Sequence, residues 1–212
     1  MTEEYGIVHK ELEPYEVLGT RWLPYEDILK LKMVESMVEL YYNSGQFQNT
    51  IACVEPLFED AFTLYEKLGQ FYEKKGYSEI SHSRMRRYEI LLEFVKEELE
   101  EQSAGKSGNQ DPEVENPAGK AAEDCRGMET ATWEKVADSM IYDLYLRENL
   151  KSHPSFEYDQ KPMRKQSGST GARKRCQGQH ILRCSGMEKY WLFDYENRDP
   201  LLHNAAVKEI QI

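Results

Sequence analysis

The sequence has no apolar run long enough to cross a membrane. Its longest apolar cluster is Tyr-Trp-Leu-Phe at residues 190–193, far below the roughly 18 apolar residues of a spanning helix. Only 40% of the 212 residues are hydrophobic, less than the roughly 45–50% of a typical globular domain. The mean hydropathy is −0.75. We therefore expect a soluble protein, part of which lies outside any packed core.

Cysteine is scarce, and the four residues are Cys53, Cys125, Cys176 and Cys184. No signal peptide or Asn-x-Ser/Thr site accompanies them, so we expect free thiols and a cytoplasmic location. His180 lies between Cys176 and Cys184, and thiolate and imidazole are ligands that zinc prefers. Seven residues separate these two cysteines, a spacing that matches no usual zinc knuckle. Free thiols are therefore favoured over a metal site.

No catalytic motif is complete in this sequence. Residues 168–174, Gly-Ser-Thr-Gly-Ala-Arg-Lys, do not have the Gly-x4-Gly-Lys-Ser/Thr spacing of a phosphate-binding loop. The five histidines lie in different segments and include no His-Glu-x2-His pair. We therefore expect no enzyme activity, and no catalytic, cofactor-binding or metal-binding residue is assigned.

Positive charge is limited outside one segment. The chain has 38 acidic and 27 basic residues and a net charge of −11, which disfavours nucleic acid and anionic membranes as partners. Residues 161–187 hold seven cations and no acid, so the remainder of the −11 chain carries −18. Like charges with interspersed glycines bury little apolar surface. Residues 159–189, with their cations at 161–183, are therefore predicted to form a basic flexible segment.

Apolar residues at helical spacing predict four helices in the first half of the chain. They cover about residues 24–43, 47–55, 62–75 and 83–102. Short loops join them, so we expect one bundle-like helical domain over residues 23–102.

Other segments flank this domain. Residues 1–22 are interpreted as an extended arm, and residues 103–128, rich in Ser, Gly, Asn and Pro, as a flexible linker. Residues 129–158 are predicted to form a long helix that packs on the helical domain. Alternating and β-branched residues over 190–212 predict a C-terminal β-hairpin. The expected fold class is mainly α with a small β part (α+β).

The chain has 14 tyrosines, many of them near helix cores or helix ends. A tyrosine fills a core with its ring while its hydroxyl reaches a polar partner. We therefore expect most of these tyrosines to have a structural role, in preference to ligand binding.

Four motifs carry a resemblance to a known family. They are Pro-Tyr-Glu-Val-Leu at 14–18, Asp-Ile-Leu-Lys-Leu-Lys at 27–32, Tyr-Tyr-Asn-Ser-Gly-Gln-Phe at 41–47 and Tyr-Asp-Leu-Tyr-Leu-Arg at 142–147. Together they resemble the uncharacterised C-terminal domain that follows the cobalamin-binding and radical S-adenosylmethionine (SAM) domains of bacterial radical enzymes. The resemblance leaves out the linker and the basic segment.

In that family the catalytic groups belong to the preceding domains. An iron–sulfur cluster is held there by Cys-x3-Cys-x2-Cys, and cobalamin is often bound through Asp-x-His-x2-Gly. Neither motif occurs in this chain. The resemblance therefore implies a non-catalytic accessory domain that holds no cofactor itself and packs beside a radical SAM barrel, in cis or in trans. Cluster, SAM and cobalamin would belong to a parent enzyme.

Two further interpretations stay open. The arm over 1–22 is interpreted as a remnant of a preceding barrel, and its unpaired strand edges would favour self-association. The alternative function is that of a stand-alone helical protein-interaction or adaptor module, in which the helices bind a protein partner.

Overall fold

The computed structural model describes residues 2–106, 118–150, 154, 176–181 and 189–210. This part of the chain is mainly helical with a small β part, which confirms the predicted fold class. It forms two compact units. The first contains Met1–Gly45 and Phe58–Ser81, and the second contains Gln46–Leu57 and His82–Ile212. None of the helices in the described ranges combines the length and apolar character needed to span a bilayer.

The first unit begins with a one-turn helix and a small hairpin. Helix α1 (Thr2–Tyr5) is followed by strands β1 (Val8–His9) and β2 (Val17–Gly19), which pair antiparallel with each other. Gly6 adopts a φ of 59° between α1 and β1, a conformation that glycine reaches without steric cost. The segment predicted as an extended arm over 1–22 therefore folds back on itself.

Two long helical segments complete the first unit. Helix α2 (Tyr25–Met37) continues into a π-helix (Val38–Asn43). Helix α4 (Ala61–Lys74) begins at the Asp60 cap, whose carboxylate accepts the Thr63 N–H at 2.7 Å. These bounds agree with the helices predicted over 24–43 and 62–75. Both helices bury apolar stripes, as the helical periodicity predicted.

Three helices form the main part of the second unit: α3 (Gln48–Val54), α5 (Arg84–Lys106) and α6 (Ala118–Arg147). A 3₁₀ turn (Glu55–Leu57) follows α3. Helix α6 packs against both α3 and α5. The four helices predicted over 23–102 are thus divided between the two units, with α2 and α4 in the first and α3 and α5 in the second.

The linker predicted over 103–128 is corrected at both ends. Helix α5 continues to Lys106, and helix α6 already begins at Ala118. Extending an existing helix costs little compared with starting one. The Ala, Lys and Glu residues at the start of α6 are strong helix formers, which offsets its glycines. Residues 107–117 lie outside the described part of the chain.

The long helix predicted over 129–158 ends earlier than expected, at Arg147. Groups from the C-terminal part of the chain bind its last carbonyls. Ala205 donates its N–H to the Leu146 carbonyl at 2.7 Å, and Arg198 donates to the Arg147 carbonyl at 3.1 Å. These bonds satisfy acceptors that a helix end leaves open. Residues 155–158 are not among those described.

The C-terminal sheet has three antiparallel strands in the order β3-β4-β5. They are β3 (Cys176–Ile181), β4 (Lys189–Asp194) and β5 (Ala206–Ile210). β4 and β5 form the hairpin predicted over 190–212. β3 was not predicted, and it lies inside the segment interpreted as flexible over 159–189. That interpretation is wrong for residues 176–181, because their backbone pairs with β4, and ladder hydrogen bonds do not depend on side-chain charge.

Candidate functional site

Two of the three candidate metal ligands lie on one strand. Cys176 is paired with Asp194 and His180 with Tyr190 across β3 and β4, whereas Cys184 lies outside the described residues. In the ranges that the structure describes, no group of three or more His, Cys, Asp or Glu side chains is placed to hold a metal ion. The preference for free thiols over a metal site at Cys176, His180 and Cys184 stays a prediction.

Most of the basic segment also falls outside the described residues. Residues 155–175 contain six of its seven cations and the loop at 168–174. The predicted flexibility of these residues therefore stays a prediction. Two other features lie within the described residues: the buried hydrogen bonds of the tyrosines and Asp143, and the exposed apolar side chains near the N-terminus.

In the first unit, the motif at residues 41–47 contributes to the core. Tyr41 is 1% exposed, and its hydroxyl lies 2.6 Å from the hydroxyl of Tyr72 on α4. The two rings meet edge to face with centroids 6.2 Å apart, and Tyr77 packs edge-on against Tyr72. Gly45 follows with a φ of 63° and ends the helical segment. These tyrosines have the structural role that the sequence predicted.

In the second unit, the last residue of the same motif is buried as well. The Phe47 ring lies 4.4 Å from the Tyr88 ring on α5. The Tyr88 hydroxyl donates to the Gln46 carbonyl at 3.0 Å. Burial raises the pKa of Tyr88 well above its usual value, so the phenol, which is protonated at neutral pH in any case, stays a donor in alkaline solution as well. The motif therefore builds structure in both units.

Asp143 on α6 binds the first turn of α3 through four hydrogen bonds. Its Oδ1 accepts from the Asn49 N–H at 3.3 Å and from Asn49 Nδ2 at 2.7 Å. Its Oδ2 accepts from the Thr50 N–H at 2.8 Å and from Thr50 Oγ1 at 2.7 Å. Burial raises the pKa of Asp143, and these hydrogen bonds oppose the rise. Both carboxylate oxygens of Asp143 therefore bind α3, and we assign this residue a structural role.

These hydrogen bonds join two segments that the resemblance singled out separately. Asp143 belongs to the motif at 142–147, and Asn49 and Thr50 lie two and three residues after the end of the motif at 41–47. The sequence reasoning did not identify Asp143 as important. The sequence does show that Asp143 lies inside an otherwise apolar helical stripe. Because a buried charge requires partners, this position could have been predicted to bind polar groups from another segment.

The first unit exposes an unusual amount of apolar surface near its N-terminus. Among the described residues, nine of the 14 exposed large apolar side chains lie between residues 5 and 31. We refer to these nine as the N-terminal apolar surface. They are Tyr5, Val8, Leu12, Tyr15, Val17, Trp22, Tyr25, Leu29 and Leu31.

The hairpin and α2 are connected within this surface. The Trp22 ring lies 5.7 Å from the Tyr5 ring, and Tyr25 and Leu29 are one helical turn apart on α2. An ion pair of 3.0 Å between Glu16 and Lys32 joins the hairpin to α2, and its hydrogen bond lowers the pKa of Glu16.

The composition of this surface indicates binding. Trp22 is 68% exposed and Tyr15 is 66% exposed. Tryptophan and tyrosine are the residues that most often anchor protein interfaces, and clustered exposed apolar side chains mark interaction sites. The N-terminal apolar surface is therefore the best candidate functional site in the described residues. The sequence showed its aromatic residues but did not show that they are exposed.

Comparison with known proteins identifies a family but no characterised relative. No curated protein and no solved structure matches the chain. A family model matches residues 3–195, which include parts of both units and the motifs at 41–47 and 142–147. The chain belongs to the DUF4080 family, a family of proteins of unknown function.

Proposed function

We propose that this chain is a non-catalytic accessory domain that packs beside a radical SAM barrel and helps to enclose the substrate there. The observation that carries the proposal is the exposure of the N-terminal apolar surface. Burying a large apolar side chain contributes about 1.5–3 kcal/mol, so burial of Tyr5 and Trp22, whose rings are neighbours, would favour docking. Docking of this surface is therefore the action that we assign to the chain.

The choice of a radical SAM barrel as partner rests on the resemblance. The motifs that resemble the C-terminal domain of cobalamin-binding radical SAM proteins lie within the DUF4080 match. Tyr5 at the end of α1 contacts Trp22. A barrel joined to the chain ahead of α1 would therefore be connected close to Trp22. The same surface would bind a barrel supplied as a separate protein.

The proposal assigns the radical chemistry to the barrel. Cluster binding requires cysteine thiolates, and this chain has neither Cys-x3-Cys-x2-Cys nor Asp-x-His-x2-Gly. An iron–sulfur cluster with SAM, and often cobalamin, would supply the chemistry in the parent enzyme. The residues of this chain would bind the barrel and exclude water from its opening.

Direct binding tests the docking role. Where a reading frame adjacent to this one encodes a radical SAM protein, recognised by Cys-x3-Cys-x2-Cys, that protein is the probe. Trp22→Ala and Tyr25→Ala should each weaken its binding about tenfold, the effect of losing about 1.4 kcal/mol. Ile80→Ala is the matched control, because Ile80 is 62% exposed in the same unit but lies outside this surface. Unchanged affinity in folded Trp22→Ala protein would contradict the proposal.

Reconstitution tests the non-catalytic assignment separately. The purified chain, incubated anaerobically with iron, sulfide and SAM, should develop no cluster absorbance and cleave no SAM. Either signal from this chain alone would overturn the assignment.

The alternative is a stand-alone adaptor that uses the same surface for a different protein. Its supporting observation is that each unit has its own buried core, as at Tyr41 in the first and Leu144 in the second. A gene neighbourhood without any Cys-x3-Cys-x2-Cys frame, in a chain not fused to a barrel, would favour the adaptor over the accessory domain.

A further inference from the structure

We propose that the N-terminal apolar surface binds a cationic protein surface, on which lysine and arginine side chains surround an apolar centre. This inference rests on the proposed docking function and adds the chemistry of the partner. The charges next to the apolar residues favour a partner of this kind.

Unpaired carboxylates adjoin members of the surface in the chain. Glu4 precedes Tyr5, Glu11 and Glu13 flank Leu12, and Glu26 and Asp27 follow Tyr25. All five acidic side chains are exposed, and none forms an ion pair with another described residue.

The cations of the same stretch are partly neutralised already. Lys30 forms an ion pair with Glu66, and Lys32 forms one with Glu16. Lys10 and Arg21 remain exposed, so the unpaired carboxylates outnumber the unpaired cations around the surface. The first unit as a whole has 14 acidic and seven basic residues, a net charge of −7.

The negative charge of the first unit favours some binding partners of this surface over others. A second copy would bring the same carboxylates against each other, and like charges brought together at an interface oppose binding. Nucleic acid and anionic lipid would be repelled for the same reason. A protein surface with basic residues around an apolar centre complements both the aromatic side chains and the carboxylates.

Salt dependence and charge removal test the inference with the radical SAM protein as probe. Raising the salt from about 50 mM to about 500 mM screens exposed charges and should weaken wild-type binding. The triple variant Glu11→Gln/Glu13→Gln/Glu26→Gln should bind about three- to tenfold more weakly at low salt, mainly through slower association. At high salt, its affinity should approach that of the wild type.

A matched charge variant controls for net charge. Glu73 and Glu79 are exposed in the same unit. Neither glutamate adjoins a member of the N-terminal apolar surface in the chain. The triple variant Glu59→Gln/Glu73→Gln/Glu79→Gln, in which Glu59 is exposed in the same unit as well, removes the same number of charges and should leave both affinity and salt dependence unchanged.

The outcomes separate this inference from the proposed function. If Trp22→Ala weakens binding but the triple variant and added salt do not, the cationic partner is overturned and the docking function stands. If folded Trp22→Ala binds as well as the wild type, the docking function itself fails. A wild-type dimer at micromolar concentration that Trp22→Ala dissociates, measured by sedimentation, would overturn the inference in favour of a second copy.

Discussion

Thr50 at the start of α3 donates both its backbone N–H and its hydroxyl to Asp143 on α6, at 2.8 Å and 2.7 Å. The two residues are buried and 93 positions apart in the chain. Helix α3 has seven residues, too few for an isolated helix to be stable in water. Its place in the second unit therefore depends on Asp143 and on the burial of Ile51 and Val54.

Replacing Asp143 should destabilise the protein strongly. Asp143→Ala removes the acceptor of four hydrogen bonds and leaves the two donors of the buried Thr50 without a partner, which should lower the free energy of unfolding by about 3 kcal/mol. Urea denaturation followed by circular dichroism measures the change. Asp27→Ala is the control, since Asp27 is exposed on α2, and it should change stability by about 0.5 kcal/mol or less. A loss at Asp143 no larger than this control would contradict the structural role.

The titration of Asp143 should oppose acid denaturation. Burial raises its folded pKa above the ordinary value of 3.8, so the folded protein retains this proton to higher pH than the unfolded chain. The stability that the proton contributes is fully present below about pH 3.8 and is lost as pH rises through the folded pKa. Relative to Asp143→Asn, wild-type stability should therefore fall across this window and then become constant.

Asp60 provides a comparison of opposite sign. Hydrogen bonds from Thr63 lower the pKa of this exposed cap, so its contribution is present above the ordinary pKa and is lost as pH falls through the folded pKa. Relative to Asp60→Asn, wild-type stability should rise with pH. Urea titrations at several pH values measure both differences, and equal slopes for Asp143 and Asp60 would contradict the assignment.

Gly69→Ala should destabilise the first unit. A Cβ at this position would lie 2.6 Å from Met33 Cγ and 2.9 Å from Met33 Sδ. Overpacking of this kind costs about 1–3 kcal/mol, more than the gain of up to about 1 kcal/mol from replacing a helical glycine by alanine. The melting temperature of the variant should fall. The double variant Met33→Ala/Gly69→Ala should lose less stability than the sum of the losses in the two single variants. A Gly69→Ala protein more stable than the wild type would contradict the prediction and show that Met33 moves aside freely.

Tyr195→Phe should loosen the end of α6. The Tyr195 hydroxyl donates toward the Tyr145 carbonyl at 2.6 Å and lies 3.0 Å from the Glu148 carbonyl. Loss of this hydroxyl should lower the free energy of unfolding by about 0.5–1.5 kcal/mol. It should also accelerate amide hydrogen exchange in the last turn of α6. Tyr42→Phe is the control, because Tyr42 is 64% exposed. Equal exchange rates in wild type and Tyr195→Phe would contradict the role of this hydroxyl.

Local patterns in the sequence determined most of the helices. Apolar residues at helical spacing placed α2 and α4 within a few residues of their observed bounds. These signals are local, because helix hydrogen bonds join residues four apart and a buried stripe repeats within one segment. The strands β4 and β5 were predicted for the same reason, since their alternation lies within each strand.

Tertiary structure alone decided how these elements were combined. An apolar stripe does not specify its partner, so the sequence did not show that α2 and α4 lie in one unit and α3 and α5 in the other. β3 contains a glycine and several polar residues, and it is a strand because β4 supplies backbone partners. The four donors that Asp143 binds lie 93 or 94 positions away in the chain. Trp22 is exposed because no other element of its unit packs over most of its ring. These properties depend on contacts between distant segments, which no local pattern of residues encodes.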